Sequence, residues 1–432
     1  VVTVKPHDGV LARPPSMRQL RLALLERQLM RRTTKFAGVG IALAALALTA
    51  CAPTTTAPAP SAGSSDGGEE SVAVNVGMIT SITGPLAAYG ESYQQGFEAG
   101  LDYATDGTGE IEGIDLTIEW IDDQGNPDTA VTQAKDVIGQ GFQIIGGSAA
   151  SGVSLAVAEQ AAQNNVLFLS GPAAADAITG VNDQTFRSGR QTLQDVATAA
   201  TFLDSVEGSN IVVFAQDNAF GQGNVASVQA VLGGEGATVT PILVAEDATE
   251  FTPFAQQISA ASPDLVFVAW AGATTGAMWE ALAQQQVLES TTVVTGLADR
   301  ASYQAYGPGS ADIQFLNHYF PGATDTEPAQ AMDAFLEEAG QEADLFTVDG
   351  FVGAQMLVHA ITEGRGDVDA MIAALEGWTF ESVKGELTIR AEDHALIQPM
   401  FQVRLVDEGG TWAPELVQAI DAEMVAPPVA GQ

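Results

Sequence analysis

The chain is poor in cysteine, in histidine and above all in positive charge. A single Cys, Cys51, stands in 432 residues. That excludes an internal disulfide and a thiolate metal cluster, so the core alone must hold the domain. The four histidines, His7, His318, His359 and His394, lie far apart and none has metal-ligand spacing, so no metal is expected. No G-x-S-x-G elbow, H-E-x-x-H or Walker loop is present. Without a nucleophile–base set, an enzyme is not expected, and no cofactor is implied. Lys and Arg total 16 against 54 Asp and Glu, a formal charge of −38. Eight of those cations but only two of the carboxylates precede Cys51, which leaves eight cations against 52 carboxylates after it, a net −44. Such a surface excludes nucleic acid, which needs basic patches, and disfavours docking on anionic lipid. The carboxylates are scattered, which fits a solvated acidic surface suited to high salt.

What is present begins with an address. Met30-Arg31-Arg32-Thr33-Thr34-Lys35 is basic, and residues 36–46 form an apolar run too short for a comfortable membrane span. Leu48-Thr49-Ala50-Cys51 follows and resembles a bacterial lipobox, cleaved before a Cys that becomes diacylated. The expectation is a signal peptide over 1–50, with 1–29 an upstream extension, and an extracytoplasmic protein held on the membrane by a lipid on Cys51. Residues 52–70, rich in Pro, Thr, Ser and Gly, cannot bury a core and are expected to form a disordered leash. About 360 residues remain, a length that usually divides in two.

From residue 71 apolar strands alternate with helical spacing. Strands are expected over 72–79, 115–121, 142–145 and 166–169, with helices over 93–103, 129–139 and 153–163 between them. The unit is then replayed: strands over 210–215, 238–245, 265–270 and 292–295, and helices over 224–232, 252–260 and 275–285. Two successive series argue for two α/β lobes with parallel sheets. Helices over 329–339, 350–363 and 368–376 are expected to return the chain to the first lobe, with a last strand over 401–406 and a loose tail over 426–432.

Two loops of small residues stand out, Gly146 to Gly152 and Ser170 to Ala175. Each follows a strand, and open parallel sheets bind ligands beyond the carboxyl ends of their strands. Small side chains let backbone N–H groups and the Ser151 hydroxyl approach a ligand closely, although βα-loops are rich in Gly and Ser in any case. Asp122-Asp123 could be a catalytic carboxylate pair, but a strand end with a solvated turn fits better. Gly221 to Ala226 matches G-x-G-x-x-A, yet residues 216–220 separate it from its strand, which argues against a dinucleotide loop.

Four motifs in order carry a family resemblance. They are Thr83-Gly84-Pro85-Leu86-Ala87-Ala88-Tyr89-Gly90, Asp122-Asp123-Gln124-Gly125-Asn126-Pro127, the loop from Gly147 to Val153, and Ala219-Phe220-Gly221-Gln222-Gly223. With the lipobox, the chain resembles, from about Val72 to Val406, a substrate-binding protein of the branched-chain amino acid type that serves ABC importers. The resemblance implies the type I periplasmic-binding fold: two Rossmann-like α/β lobes with parallel sheets, joined by three crossover segments and closing on ligand. Lobe I would comprise 71–191 and 322–395, and lobe II 192–321 and 396–425. It also implies a monomer that hands a small amino acid, or a related carboxylate or amide, to permease subunits.

Carried over residue by residue, Ser151 matches the Ser that holds the ligand carboxylate, with backbone contacts at Ala150, Ala173 and Ala174. Tyr89 matches the aromatic after Gly-Pro, and Phe220 takes the place of a second-lobe Tyr. Ala271, with Trp270 beside it, falls where an aromatic is often found. The acid that pairs a ligand ammonium falls near Ala298, with Asp299 one position on. A buried ammonium without its carboxylate would cost several kcal/mol. Either Asp299 serves, or the ligand is not a standard α-amino acid. A sensing receptor that reports to a separate partner is the alternative to a transport role.

Overall fold

The structure is a computed structural model that describes residues 71–431. Cys51, the apolar run before it and the leash lie outside the described residues. The first sheet contains β1 (Val72–Thr80), β2 (Ile114–Asp122), β3 (Ile144–Gly146), β4 (Leu167–Ser170) and β5 (Thr185–Arg187) in the order β2-β1-β3-β4-β5. Every pair is parallel. The second sheet repeats that order with β6 (Asn210–Gln216), β7 (Thr238–Val244), β8 (Leu265–Ala269), β9 (Thr292–Gly296) and β10 (Ile313–Asn317), running β7-β6-β8-β9-β10. The expected two-lobe α/β architecture is therefore present. Central strands such as β8 are buried at every residue, which is why they read as continuous apolar runs.

Helices cover both faces of each sheet. In the first lobe they are α1 (Ala87–Ala104), α2 (Pro127–Gly139) and α3 (Ser151–Asn164). The chain then crosses to the second lobe through residues 188–191, just before α4 (Thr192–Ala200). There α5 (Ala219–Val228), α6 (Thr252–Ala261), α7 (Thr275–Gln284) and the single turn α8 (Val287–Ser290) follow. Residues 318–326 return it to α9 (Glu327–Ala339), α10 (Thr347–Gly364) and α11 (Val368–Leu375). A third crossing at residues 398–399 leads back to the second sheet. Apolar side chains of α10 such as Met356 and Leu357 are fully buried with β1 and β3 side chains, each worth about 1.5–3 kcal/mol. Helices α1 and α10 meet backbone to backbone. A Cβ on Gly96 would lie 1.7 Å from the Thr347 carbonyl oxygen, and one on Gly350 would lie 2.0 Å from that of Tyr93.

Three features depart from the sequence reading. The expected last strand is β14 (Met400–Asp407), but it runs antiparallel to β10. The reason is where the chain arrives. The third crossing delivers it at the carboxyl end of β10, with Phe401 opposite Asn317, so it can only run back toward the amino edge. A further strand, β15 (Trp412–Ile420), pairs with β14 and was not expected. A small antiparallel sheet of β11 (Thr379–Ser382), β12 (Gly385–Ile389) and β13 (Leu396–Ile397) was also missed.

The tail is not loose. Val425 is buried with Met400 and Ile420, and the carbonyl oxygens of Pro427 and Pro428 accept from Arg390 at 2.6 and 3.2 Å. Arg390 also forks onto Asp393 at 2.8 and 2.6 Å, and the Ala430 N–H donates to Asp393 at 2.9 Å. Arg390→Ala leaves the Asp393 carboxylate, whose side chain is 1% exposed, without its cation. The expected loss is about 3 kcal/mol, read as a lower denaturation midpoint, with faster amide exchange at Ala430. Unchanged exchange there would mean that the tail is held some other way.

Candidate functional site

In each sheet the strand order reverses beside the first strand, between β1 and β3 and between β6 and β8. The crevice beyond the carboxyl ends at such a point is where open α/β sheets bind ligands. Both crevices open on one cavity of about 630 Å³. Its wall takes Tyr89, Ala150, Ser151 and Ala174 from the first lobe and Phe220, Trp270 and Ala271 from the second. Seven of the residues singled out in the sequence are thus brought together. Ala173 and Asp299 are not on that wall.

The first-lobe wall is organised by a carboxylate. Asp123 is fully buried, not at a solvated turn as the sequence suggested. It accepts from the Ser81 hydroxyl at 2.7 Å, from the Gly125 N–H at 2.6 Å and from the Ser148 hydroxyl. Those bonds tie together the loops after β1, β2 and β3. Ser151 is the first residue of α3, and Gly152 and Val153 also line the cavity. The first N–H groups of a helix have no partner within it. The Ser151 hydroxyl accepts from the Ala175 N–H at 3.2 Å, which leaves its own proton to donate. Ala173 is turned away because both its backbone groups are engaged. Its N–H donates to the Ser148 carbonyl at 3.2 Å, and its carbonyl accepts from Arg187 at 2.6 Å.

The second-lobe wall is mostly apolar. Trp270 packs against Phe214 and Phe251 at centroid distances of 5.2 and 5.4 Å, and its Nε1–H donates to Thr274 at 3.0 Å. Phe220 stands in the first turn of α5, which Asn218 caps by accepting from the Gly221 N–H at 2.9 Å. Gly221 to Ala226 lies within that helix. The Ala271 N–H donates to Gln216 at 3.1 Å. Asp299 is drawn off the wall because it caps the next turn, accepting from the Ser302 N–H at 3.1 Å and from its hydroxyl.

Sequence reasoning missed Arg190, Asp195 and Phe346, which also line the cavity. Arg190 belongs to the first crossing. Its Nε lies 3.4 Å from Asp195, its Nη1 donates to the Pro172 carbonyl at 3.2 Å, and its guanidinium sits over the Phe346 ring at 5.6 Å. Tyr89 meets Phe346 edge-on at 5.0 Å. Burial pushes the Asp195 carboxyl up, and the charge of Arg190 opposes that shift. The available signal was scarcity, since Arg187 and Arg190 are two of only eight cations after Cys51.

A family model described as periplasmic binding protein matches residues 73–411. The chain belongs to that family. It is a solute-binding protein of the ABC-transporter type. The Leu/Ile/Val-binding protein BraC3 of Rhizobium johnstonii is 24% identical over 322 residues, 73% of this chain and 87% of that protein. An ABC-type branched-chain amino acid transporter protein from Rhodopseudomonas palustris is 28% identical, with a TM-score of 0.69 over 83% of this chain and 100% of that one. A solute-binding protein of an ABC transporter from R. palustris HaA2, solved with p-hydroxybenzoic acid, shares the fold at 21% identity. Its TM-score is 0.73 over 83% of this chain and 99% of that one.

The crossings of this periplasmic binding protein surround a buried charged cluster. Asp349 of α10 is fully buried, and neither carboxylate oxygen has a hydrogen-bond partner. His318 of the second crossing brings its Nε2 within 3.4 Å without hydrogen-bond geometry. Lys384 bonds Gln398 of the third crossing. Burial raises the Asp349 carboxyl, with Lys384 and Arg190 opposing, and burial lowers Lys384, with Asp349 opposing. A carboxyl raised in the folded state contributes stability that is complete below its unfolded value of about 3.9 and is lost as pH rises through the folded value. Asp349→Asn should remove that loss. The difference in denaturation midpoint between variant and parent should move in the variant's favour as pH is raised from about 4. A difference independent of pH would show that Asp349 does not titrate abnormally.

Proposed function

We propose that the protein captures a small carboxylate or amide with an apolar, ring-sized body between its lobes and delivers it to the permease of an ABC importer. One observation supports this above the others: a single cavity lined by hydrogen-bond donors of the first lobe and by rings of both lobes. Ser151 and the open N–H groups of α3 face the head of the ligand, and Phe220, Trp270 and Tyr89 enclose its body. An α-amino acid would also need a carboxylate for its ammonium. Of the acids on the wall, Asp195 is paired with Arg190, and exposed Glu246 bonds Asn218 at 2.7 Å. Asp299 is spent on its cap. The neighbour solved with p-hydroxybenzoic acid supports an aromatic acid; the Leu/Ile/Val-binding relatives keep amino acids in the screen.

Thermal shift against aromatic acids, amides and amino acids tests the reading, because a ligand of the native state stabilises it by RT ln(1 + [L]/Kd). Ser151→Ala should weaken the best ligand by about 1–3 kcal/mol in calorimetry. A best ligand that is a sugar, or one indifferent to Ser151, would overturn the assignment. Membrane attachment is part of the proposal and rests on Leu48-Thr49-Ala50-Cys51. Cys51→Ala should release the protein from the membrane fraction or leave the leader uncleaved, and an unchanged fraction would refute the anchor.

A further inference from the structure

The conclusion that follows deepens the reading above and rests on it. We propose that Arg190 determines ligand specificity, and that it selects an ionised carboxylate over its neutral amide and over an amino acid. Among the described residues, Arg190 is the only cation on the cavity wall, in a chain whose field otherwise repels anions. It is positioned beside the first-lobe donors: its Nη1 bonds Pro172, two residues from Ala174, and Ala175 bonds Ser151. The proposed ligand carboxylate lies between Ser151 and this guanidinium, which line the same cavity and are linked through the loop after β4.

The orientation of the guanidinium is fixed from several sides. Asp195 engages Nε, Pro172 engages Nη1, and Phe346 lies under the plane. The Arg190 carbonyl is held in turn by Arg187 at 2.7 Å. No protein acceptor among the described residues engages Nη2. The side chain is only 12% exposed, yet Nη2 is not among the buried unpartnered atoms, so this donor is open to the cleft and free to take a ligand. A fork held in place loses little entropy on binding, and a charged acceptor makes the stronger bond. An amide offers one neutral carbonyl instead. Asp195 acts as a positioning residue. It sets the plane of Arg190, and because it is already paired it does not serve a ligand ammonium.

The test measures calorimetric affinity for four carboxylates and their primary amides: benzoate, 4-hydroxybenzoate, phenylacetate and 4-methylpentanoate. Leucine is run beside them. The parent should prefer the best carboxylate over its amide by about 30-fold or more. Arg190→Gln should abolish that preference and leave amide affinity within a few fold. Because Arg190→Gln strands the Asp195 charge, the double variant Arg190→Met with Asp195→Asn is measured as well, since it removes the pair together. It should give the same loss. Asp195→Asn alone should keep the carboxylate preference, because the amide oxygen can still accept from Nε and hold the plane while a like charge near the head is removed. Asp195→Ala, which frees the guanidinium, should weaken the preference.

A preference that survives in the folded double variant overturns the role of Arg190 while the binding function stands. Leucine binding lost in Asp195→Asn shows an ammonium partner and overturns the carboxylate selection. If no member of the panel binds the parent, the proposed function falls and this inference falls with it.

Discussion

A guanidinium buried to 1% exposure must find acceptors for its protons, and Arg187 finds them for both terminal nitrogens in the segments that build the site. Its Nη2 donates to the carbonyls of Ala173 and Arg190, and its Nη1 to the carbonyl of Ala175 and the hydroxyl of Thr179. One cation at the end of β5 therefore draws in the second small-residue loop and the first crossing at once. Burial lowers its pKa to about 10, with Asp176 opposing, so it keeps its charge at neutral pH. The loop can present Pro172 and Ala174 to the cavity because Ala173, between them, is bound from behind. Arg190 can point inward because its own carbonyl is taken.

Asp123 performs the complementary task with the opposite charge. It gathers N–H and hydroxyl donors from three loops, as Arg187 gathers carbonyls from two segments. Both groups are desolvated. Asp123 is met by three donors, and Arg187 by acceptors at Nη1 and Nη2 while its Nε has none. A buried ion whose bonds are met stabilises a single arrangement rather than costing stability. Asp349 violates that condition, with neither oxygen bonded, and it lies among the crossings that join the lobes. Contacts away from the crossings also join the lobes in this arrangement. Ser227 bonds Asp176, and Arg300 reaches Glu342 and the Ala343 carbonyl.

The strand series was legible because the central strands are buried on both faces and read as apolar runs between helices. β15 was not, since its exposed Glu415, Val417 and Gln418 give an edge strand no apolar run to detect. The antiparallel course of β14 was invisible for another reason: direction follows from where a crossing delivers the chain, and spacing carries no trace of that. At the site, the loops after β3 and β4 announced themselves by their small residues. Arg190 and Asp195 did not, because they lie outside the strand–loop–helix pattern and reach the cavity only through the crossing. Asp299 misled for a local reason. An Asp three residues before a turn donor caps it, whatever role alignment assigns to the position.

The pinned tail has a geometric consequence for motion. Val425 is packed beside β14 and β15 of the second sheet, and Pro427 is bonded to Arg390, in the segment between β12 and β13 that packs with the first lobe. One residue, Ala426, lies between them. Two extended residues reach about 7 Å, so the points they join cannot separate further while both contacts hold. A rotation that opens the cleft and keeps the tail in place must therefore turn about an axis passing close to Ala426. The tether at Ala426 thus limits, on the outside of the molecule, where the axis of any such rotation can pass.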